Sequence, residues 1–198
     1  MGGTVMNTPN KLTILRILMT PLFMVALLVP FLEPHNIIIA LAIFAIASIT
    51  DTIDGNLARK HNLITDFGKF LDPLADKMLT TSAFLCFIQL GWGWGITWIT
   101  FIVLVREFFI TSLRLVSLGS GKVVAANIWG KLKTISQMVA IIAVMAFEYF
   151  ISVFEITGTL ACAMRIVYDI CLWASAILAV ISGVIYFWDN RSYINTKK

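Results

Sequence analysis

Charge is what this sequence has least of. Only 13% of its 198 residues are Asp, Glu, Lys or Arg, against 59% hydrophobic, and the mean hydropathy is +0.90. An ordinary soluble domain carries about twice that share of charge, so a water-soluble globule is excluded. A helix needs about 20 apolar residues to cross a hydrocarbon core of roughly 30 Å, and the hydrophobic residues number about 117, enough for about six crossings. Little remains for a soluble domain, and any chemistry must be built from the ends and faces of membrane helices. Cysteine is scarce too: Cys86, Cys162 and Cys171 all lie in apolar runs and no pair has metal-ligand spacing. They read as small core residues. Cys162 and Cys171 fall about half a turn out of phase on one helix and cannot bridge each other. The two histidines, His35 and His61, read as loop residues with no identifiable partner. Internal repeats, low-complexity tracts and linkers are missing, which predicts one polytopic membrane domain over residues 1–198 with no nucleic-acid partner. No cleavable leader is expected, because the first apolar stretch is long and contains cations. The myristoylation pattern fails at Met6, where Ser or Thr is needed.

Apolar runs broken by polar or turn-forming residues predict an all-α integral membrane protein with six transmembrane helices, near 12–32, 36–60, 68–90, 95–118, 127–149 and 158–188. The connections are short. One carries Pro30 and Pro34, one is the Gly-Trp-Gly-Trp-Gly run from Gly91 to Gly95, and one contains Gly119-Ser120-Gly121. With six crossings drawn, every one of the 15 Lys and Arg residues except Arg165 falls on the side of the amino terminus. The positive-inside rule then places both termini and the loops near residues 60 and 120 in the cytoplasm of a cell-membrane protein. The opposite loops are read as carrying Glu33, Glu148 and Glu155. Trp92, Trp94 and Trp98 fit an outer aromatic belt, and Trp129 and Trp188 an inner one.

Against this background four aspartates stand out. A charge inside a span costs about 2.5 to 3.5 kcal/mol on insertion scales, so an intramembrane carboxylate is a functional suspect. The segment DTIDGNLARKHNLITDFGKFLDPLAD runs from Asp51 to Asp76 directly after an apolar stretch. At about 100° per residue, Asp51, Asp54, Gly55 and Ala58 share one helix face, with Arg59 beside it. On the next helix Gly68, Asp72 and Asp76 share another, and the short turn between the helices makes them antiparallel neighbours. Asp66 reads as a cap of the third helix, outside the site. Pro73 is expected to kink or restart that helix. Four close carboxylates repel unless cations neutralise them. An all-oxygen donor set without Cys or His favours hard ions, two Mg²⁺ or Mn²⁺ ahead of Ca²⁺. Two such ions suit in-line displacement at phosphorus. Gly55 and Ala58 lack bulk and let a flat or phosphorylated group approach the backbone, and the planar fork of Arg59 suits a diphosphate. Asp51 lies roughly 21 Å below the outer end of its span, so the site is recessed into the inner leaflet, where a lipid presents its headgroup.

These residues carry a resemblance. Asp51, Asp54-Gly55, Ala58-Arg59, Gly68, Asp72 and Asp76, at their spacing, are similar to the complete signature of the CDP-alcohol phosphotransferases. The resemblance implies that family's fold of six transmembrane helices, usually as a homodimer. It implies Asp51, Asp54, Asp72 and Asp76 as metal ligands, with Asp76 also the catalytic general base. It further implies Gly55, Ala58, Arg59 and Gly68 as the binding residues for a CDP-linked lipid, CDP-diacylglycerol, from which CMP leaves.

The acceptor alcohol is decided elsewhere. Arg106 and Arg114 sit at the inner end of the fourth span, and Lys131 and Lys133 begin the fifth. Choline, ethanolamine or serine gives little reason for four such cations, whereas a phosphorylated polyol needs them. Headgroup anchoring of positive-inside residues, Lys122 among them, is the competing reading. PNKLTILR near the start, REFFITSLR at residues 106–114 and GKLKT at 130–134 resemble the bacterial branch of the family that makes phosphatidylglycerol phosphate, which implies glycerol 3-phosphate as acceptor. Asn10, Thr13 and Arg16 then join the same cytoplasmic vestibule, or else serve as a first-turn cap and an inner-leaflet anchor. Arg165 and Asp169, one turn apart in the last span, are expected to form a structural pair or a dimer contact. Rivals are the same family with inositol phosphate, serine or phosphatidylglycerol as acceptor, an aspartate-rich intramembrane prenyltransferase, and a divalent-cation transporter.

Overall fold

The computed structural model describes residues 8–30, 33–61, 66–119 and 128–191; the side chains of residues 8–9, 51–61, 66–70, 72–73, 76 and 116–119 lie outside that description. Six helices occupy it: α1 (Thr8–Leu28), α2 (His35–His61), α3 (Asp66–Leu90), α4 (Ile96–Gly119), α5 (Ile128–Val153) and α6 (Gly158–Asn190). No strand occurs among the described residues. Helices α1, α4, α5 and α6 are long and apolar enough to cross a membrane, while α2 and α3 contribute shorter apolar segments, His35–Thr50 and Lys77–Leu90.

Three boundaries differ from expectation for local reasons. Helix α1 stops at Leu28 because Pro30 disfavours helical geometry at Val29, although the Val29 N–H still bonds the Val25 carbonyl. Helix α3 runs unbroken through Pro73, so Asp72 and Asp76 share one continuous helix and no restart separates them. Helix α5 continues past Glu148 to Val153, and the reversal comes at Glu155 and Gly158, both at positive φ. Glu148 is therefore a buried helical residue and not part of an outer loop.

Exposure is inverted relative to a soluble protein. Ile128, Trp94, Trp98, Phe108 and Phe154 lie among many exposed large apolar side chains, while Asn10, Thr13, Arg16, Gln137, Glu148 and Ser182 are buried. That pattern suits lipid outside and polar contacts inside. The three cysteines are free; Cys86 is buried as expected, but Cys162 is exposed on α6 and belongs to no core.

Two compact units emerge, Met1–Leu90 with Met145–Thr157, and Gly91–Val144 with Gly158–Lys198. In the first, α1 packs against both α2 and α3. The α1 face is a stripe of Asn10, Thr13, Arg16, Thr20, Phe23 and Leu27, and the α2 face is Ile37, Ala40, Phe44 and Ala47, all buried. Phe23 meets Phe44 at 5.8 Å between ring centroids, and the Asn36 amide donates to the Leu27 carbonyl at 3.3 Å. His35 opens α2, with its Nδ1 3.4 Å from the Tyr149 hydroxyl, so it is not a partnerless loop residue.

In the second unit α4 and α6 run side by side in the same direction. The 91–95 turn docks on α6: the Asp169 carboxylate accepts the Trp94 backbone N–H at 2.9 Å, and the Trp173 indole donates to the Trp94 carbonyl at 3.1 Å. A Cβ at Gly93 would lie 2.8 Å from Leu172 Cδ1, and Gly93 adopts φ +102°, so only glycine fits there. Asp169 is thereby a fastener between the turn and the last helix.

Candidate active site

The aspartate pattern reaches the fold through helical register. On α2 the buried positions 37, 40, 44 and 47 alternate steps of three and four. Continued along the helix, the same stripe passes through positions 51, 54 and 58. On α3 the buried face of Ala75, Leu79, Ser82, Ala83 and Cys86 continues backward through position 72, with position 76 on its flank. The carboxylate positions thus sit on the extensions of the two faces that pack on α1. The side chains of Asp51, Asp54, Gly55, Ala58, Arg59, Gly68, Asp72 and Asp76 lie outside the described residues. Their donor chemistry, four carboxylates on two neighbouring helix ends, fits hard divalent cations.

Helix α1 supplies a feature that the sequence left ambiguous. Arg16 is 2% exposed, and its Nε donates to the Ala47 carbonyl at 3.3 Å, one turn before Asp51. It is no inner-leaflet anchor, since a snorkelling arginine keeps its head in water. The antiparallel register that pairs Leu27 with Asn36 and Arg16 with Ala47 carries Thr13 and Asn10 level with the turns containing Asp51 and Asp54. Thr13 and Asn10 are themselves buried. Thr20, one turn further on, bonds back to the Arg16 carbonyl at 3.0 Å.

The second unit gathers three of the four expected acceptor cations into described contacts. Arg106 Nη1 donates to Glu107 Oε1 at 3.1 Å, and Arg106 Nη2 donates to the Ser182 hydroxyl at 2.8 Å. Lys133, 6% exposed, donates to the same Glu107 oxygen. Arg114 Nε donates to the Tyr186 hydroxyl at 3.2 Å, and its guanidinium carbon stands 5.6 Å from the centroid of that ring. Lys131 is exposed and has no described place in this group. Arg106 Nε is buried with no acceptor among the described residues.

Sequence reading missed Glu107, Ser182 and Tyr186. Glu107 carried a usable signal, since an acid within an apolar helix bears the same insertion cost that singled out the aspartates. Ser182 and Tyr186, one turn apart on α6, carried none: they become relevant only when α6 is packed beside α4.

Comparison with known proteins decides the family. The sequence profile of the CDP-alcohol phosphatidyltransferases matches residues 6–186. The chain belongs to the CDP-alcohol phosphatidyltransferase family. Among curated members, it is 40% identical over 200 residues to the CDP-diacylglycerol–glycerol-3-phosphate 3-phosphatidyltransferase of Bacillus subtilis, covering 96% of this chain and 98% of that one. It is 40% identical over 184 residues to the probable phosphatidylglycerophosphate synthase of Mycobacterium tuberculosis, covering 91% and 79% of the two chains. A 3-phosphatidyltransferase of the same name from Wigglesworthia glossinidia brevipalpis is 34% identical over 185 residues, 92% of this chain and 94% of that one. CDP-alcohol phosphatidyltransferases are generally metal-dependent, in keeping with the carboxylate donor set.

Proposed function

We propose that this chain transfers the phosphatidyl group of CDP-diacylglycerol to glycerol 3-phosphate, releasing CMP and phosphatidylglycerol phosphate. The similarity to the Bacillus subtilis transferase over nearly the whole of both chains carries the proposal. The intact aspartate signature supports it, because four carboxylates are the kind of donor set that metal-assisted transfer at phosphorus uses.

In this reading Asp51, Asp54, Asp72 and Asp76 hold two Mg²⁺ or Mn²⁺ ions. When bound, such ions offset the charge on the diphosphate and its leaving oxygen. Gly55, Ala58 and Gly68 leave room for the cytidine and diphosphate, and Arg59 donates to the phosphate oxygens. Arg106, Arg114 and Lys133 receive the phosphate of the acceptor, and the exposed Lys131 adds only a water-screened attraction. Asp76 takes the proton of the free terminal hydroxyl as its oxygen forms a bond to the phosphorus that bears diacylglycerol. The bond from that phosphorus to the bridging diphosphate oxygen breaks, and CMP departs with the electron pair.

The same proposal has all six helices crossing the cell membrane as one polytopic domain over residues 1–198, with both termini and the site cytoplasmic. Their support is the lopsided distribution of Lys and Arg. The apolar part of α2, His35–Thr50, is about 24 Å long, somewhat less than the hydrocarbon thickness, which leaves Asp51 at the inner boundary. A homodimer is the assembly that the family resemblance supports. Purified protein with CDP-diacylglycerol, Mg²⁺ and labelled glycerol 3-phosphate should yield labelled phosphatidylglycerol phosphate and one CMP per product. Incorporation of serine or inositol phosphate in its place would reassign the acceptor, and release of diphosphate would exclude the reaction class.

A further inference from the structure

We infer that Glu107 is a positioning residue for recognition of the acceptor's phosphate, and that α6 supports it through Ser182. This inference rests on the reading that Arg106 and Lys133 receive that phosphate. Both cations are largely withdrawn from solvent, with side-chain exposures of 12% for Arg106 and 7% for Lys133. Two like charges so placed repel and cannot be screened by water. The single oxygen Oε1 of Glu107 accepts from both, Nη1 of one and Nζ of the other. The carboxylate therefore fixes the spacing of the two cations and cancels one of their charges. Taken by themselves, these three side chains carry one surplus positive charge.

Helix α6 closes the frame from the other side. Ser182 Oγ takes Arg106 Nη2, and the neighbouring Gly183 leaves space for the arginine stem: a Cβ there would stand 3.3 Å from Arg106 Cγ. With both terminal nitrogens thus oriented, Arg106 still has Nε buried and without an acceptor among the described residues. A buried donor left open is costly to fold and is met when an anion arrives. A bridging carboxylate is also the right kind of placeholder: a phosphate offers more oxygens of the same charge and can take N–H donors that are already aimed.

The inference is tested by kinetics of the full-length protein in detergent or vesicles with Glu107→Gln, Glu107→Asp and Ser182→Ala. Glu107→Gln should raise KM for glycerol 3-phosphate at least about tenfold while leaving KM for CDP-diacylglycerol within about twofold. It should also shrink the preference for glycerol 3-phosphate over unphosphorylated glycerol by a similar factor, a change that general loosening of the fold does not produce. Glu107→Asp should recover part of the loss, and Ser182→Ala should raise the same KM by about threefold. An unchanged or lowered KM for glycerol 3-phosphate in Glu107→Gln overturns the inference while the proposed function stands. Loss of both substrates' affinities together in Glu107→Gln and Ser182→Ala also overturns it, making the cluster structural. Wild-type protein that does not use glycerol 3-phosphate at all removes the proposed function, and this inference with it.

Discussion

Among the described contacts, a buried cation of the first unit donates to the backbone, whereas two cations of the second, both largely withdrawn from solvent, donate to a carboxylate. Arg16 donates to the Ala47 carbonyl, an acceptor that is part of a helix and cannot leave. Lys133 and Arg106 donate to Glu107, a side chain whose place an incoming anion can share. The difference separates two uses of expensive polarity inside a membrane protein. A charge tied to main chain locks two helices together, whereas a charge tied to another side chain keeps its donors aimed and exchangeable. Helix α1 packs on both aspartate-bearing helices, and in the proposed function the cations of α4 and α5, held by Glu107 and Ser182, are the ones that receive the acceptor's phosphate.

The comparison breaks most completely at the carboxylates. Asp76→Asn should lower turnover by about a thousandfold or more with folding retained, as loss of both a general base and a metal ligand requires. Product formation together with a thermal melt in detergent checks both halves, and normal turnover removes the assignment. Next in size, Arg106→Ala and Lys133→Ala should each raise KM for glycerol 3-phosphate by about ten- to a hundredfold, with little change in KM for CDP-diacylglycerol. Unchanged acceptor affinity would return these cations to headgroup anchoring.

Arg16→Met sharpens the contrast from the other side. It should lower stability by about 1 to 3 kcal/mol, through loss of a buried charged hydrogen bond, without selectively raising KM for glycerol 3-phosphate. A selective KM effect would move Arg16 into the acceptor site. Gly93→Ala tests the fastener of the second unit: the clash with Leu172 and the positive φ should cost about 1 to 3 kcal/mol, read as a lower melting temperature with KM values preserved. The smallest effect is expected from Lys131→Ala, about twofold or less in acceptor KM, because an exposed cation interacts through water.

Much of this was legible in the residues. Six apolar runs became six helices because hydropathy and the cost of unsatisfied backbone act locally, and the errors at their ends trace to single residues such as Pro30 and Glu155. The aspartate signature was legible because its spacing matches a helical face. Harder to read were the polar residues that a helix turns inward. Asn10, Thr13 and Arg16 suited a cap, an anchor or a vestibule until α1 was seen to bury them against its neighbours. Glu148 looked like a loop acid because a charge often ends a span, yet it shares the buried stripe of α5 with Lys133 and Gln137. Asp169 was expected to serve an ion pair or a dimer contact, and the described contact is its bond to the backbone of Trp94, far away in sequence.

With the reaction class supplied by the family resemblance, the scarcity of charge determined that membrane helices must supply the chemistry, and the spacing of the acids determined that they share helix faces. Both follow from one-dimensional quantities, transfer free energy and helical period. Only the tertiary structure decided which charges are partnered and by what. The joining of Arg106, Glu107, Lys133 and Ser182 needs three helices in register, and no local property of any one of them encodes which side chain the others will bring.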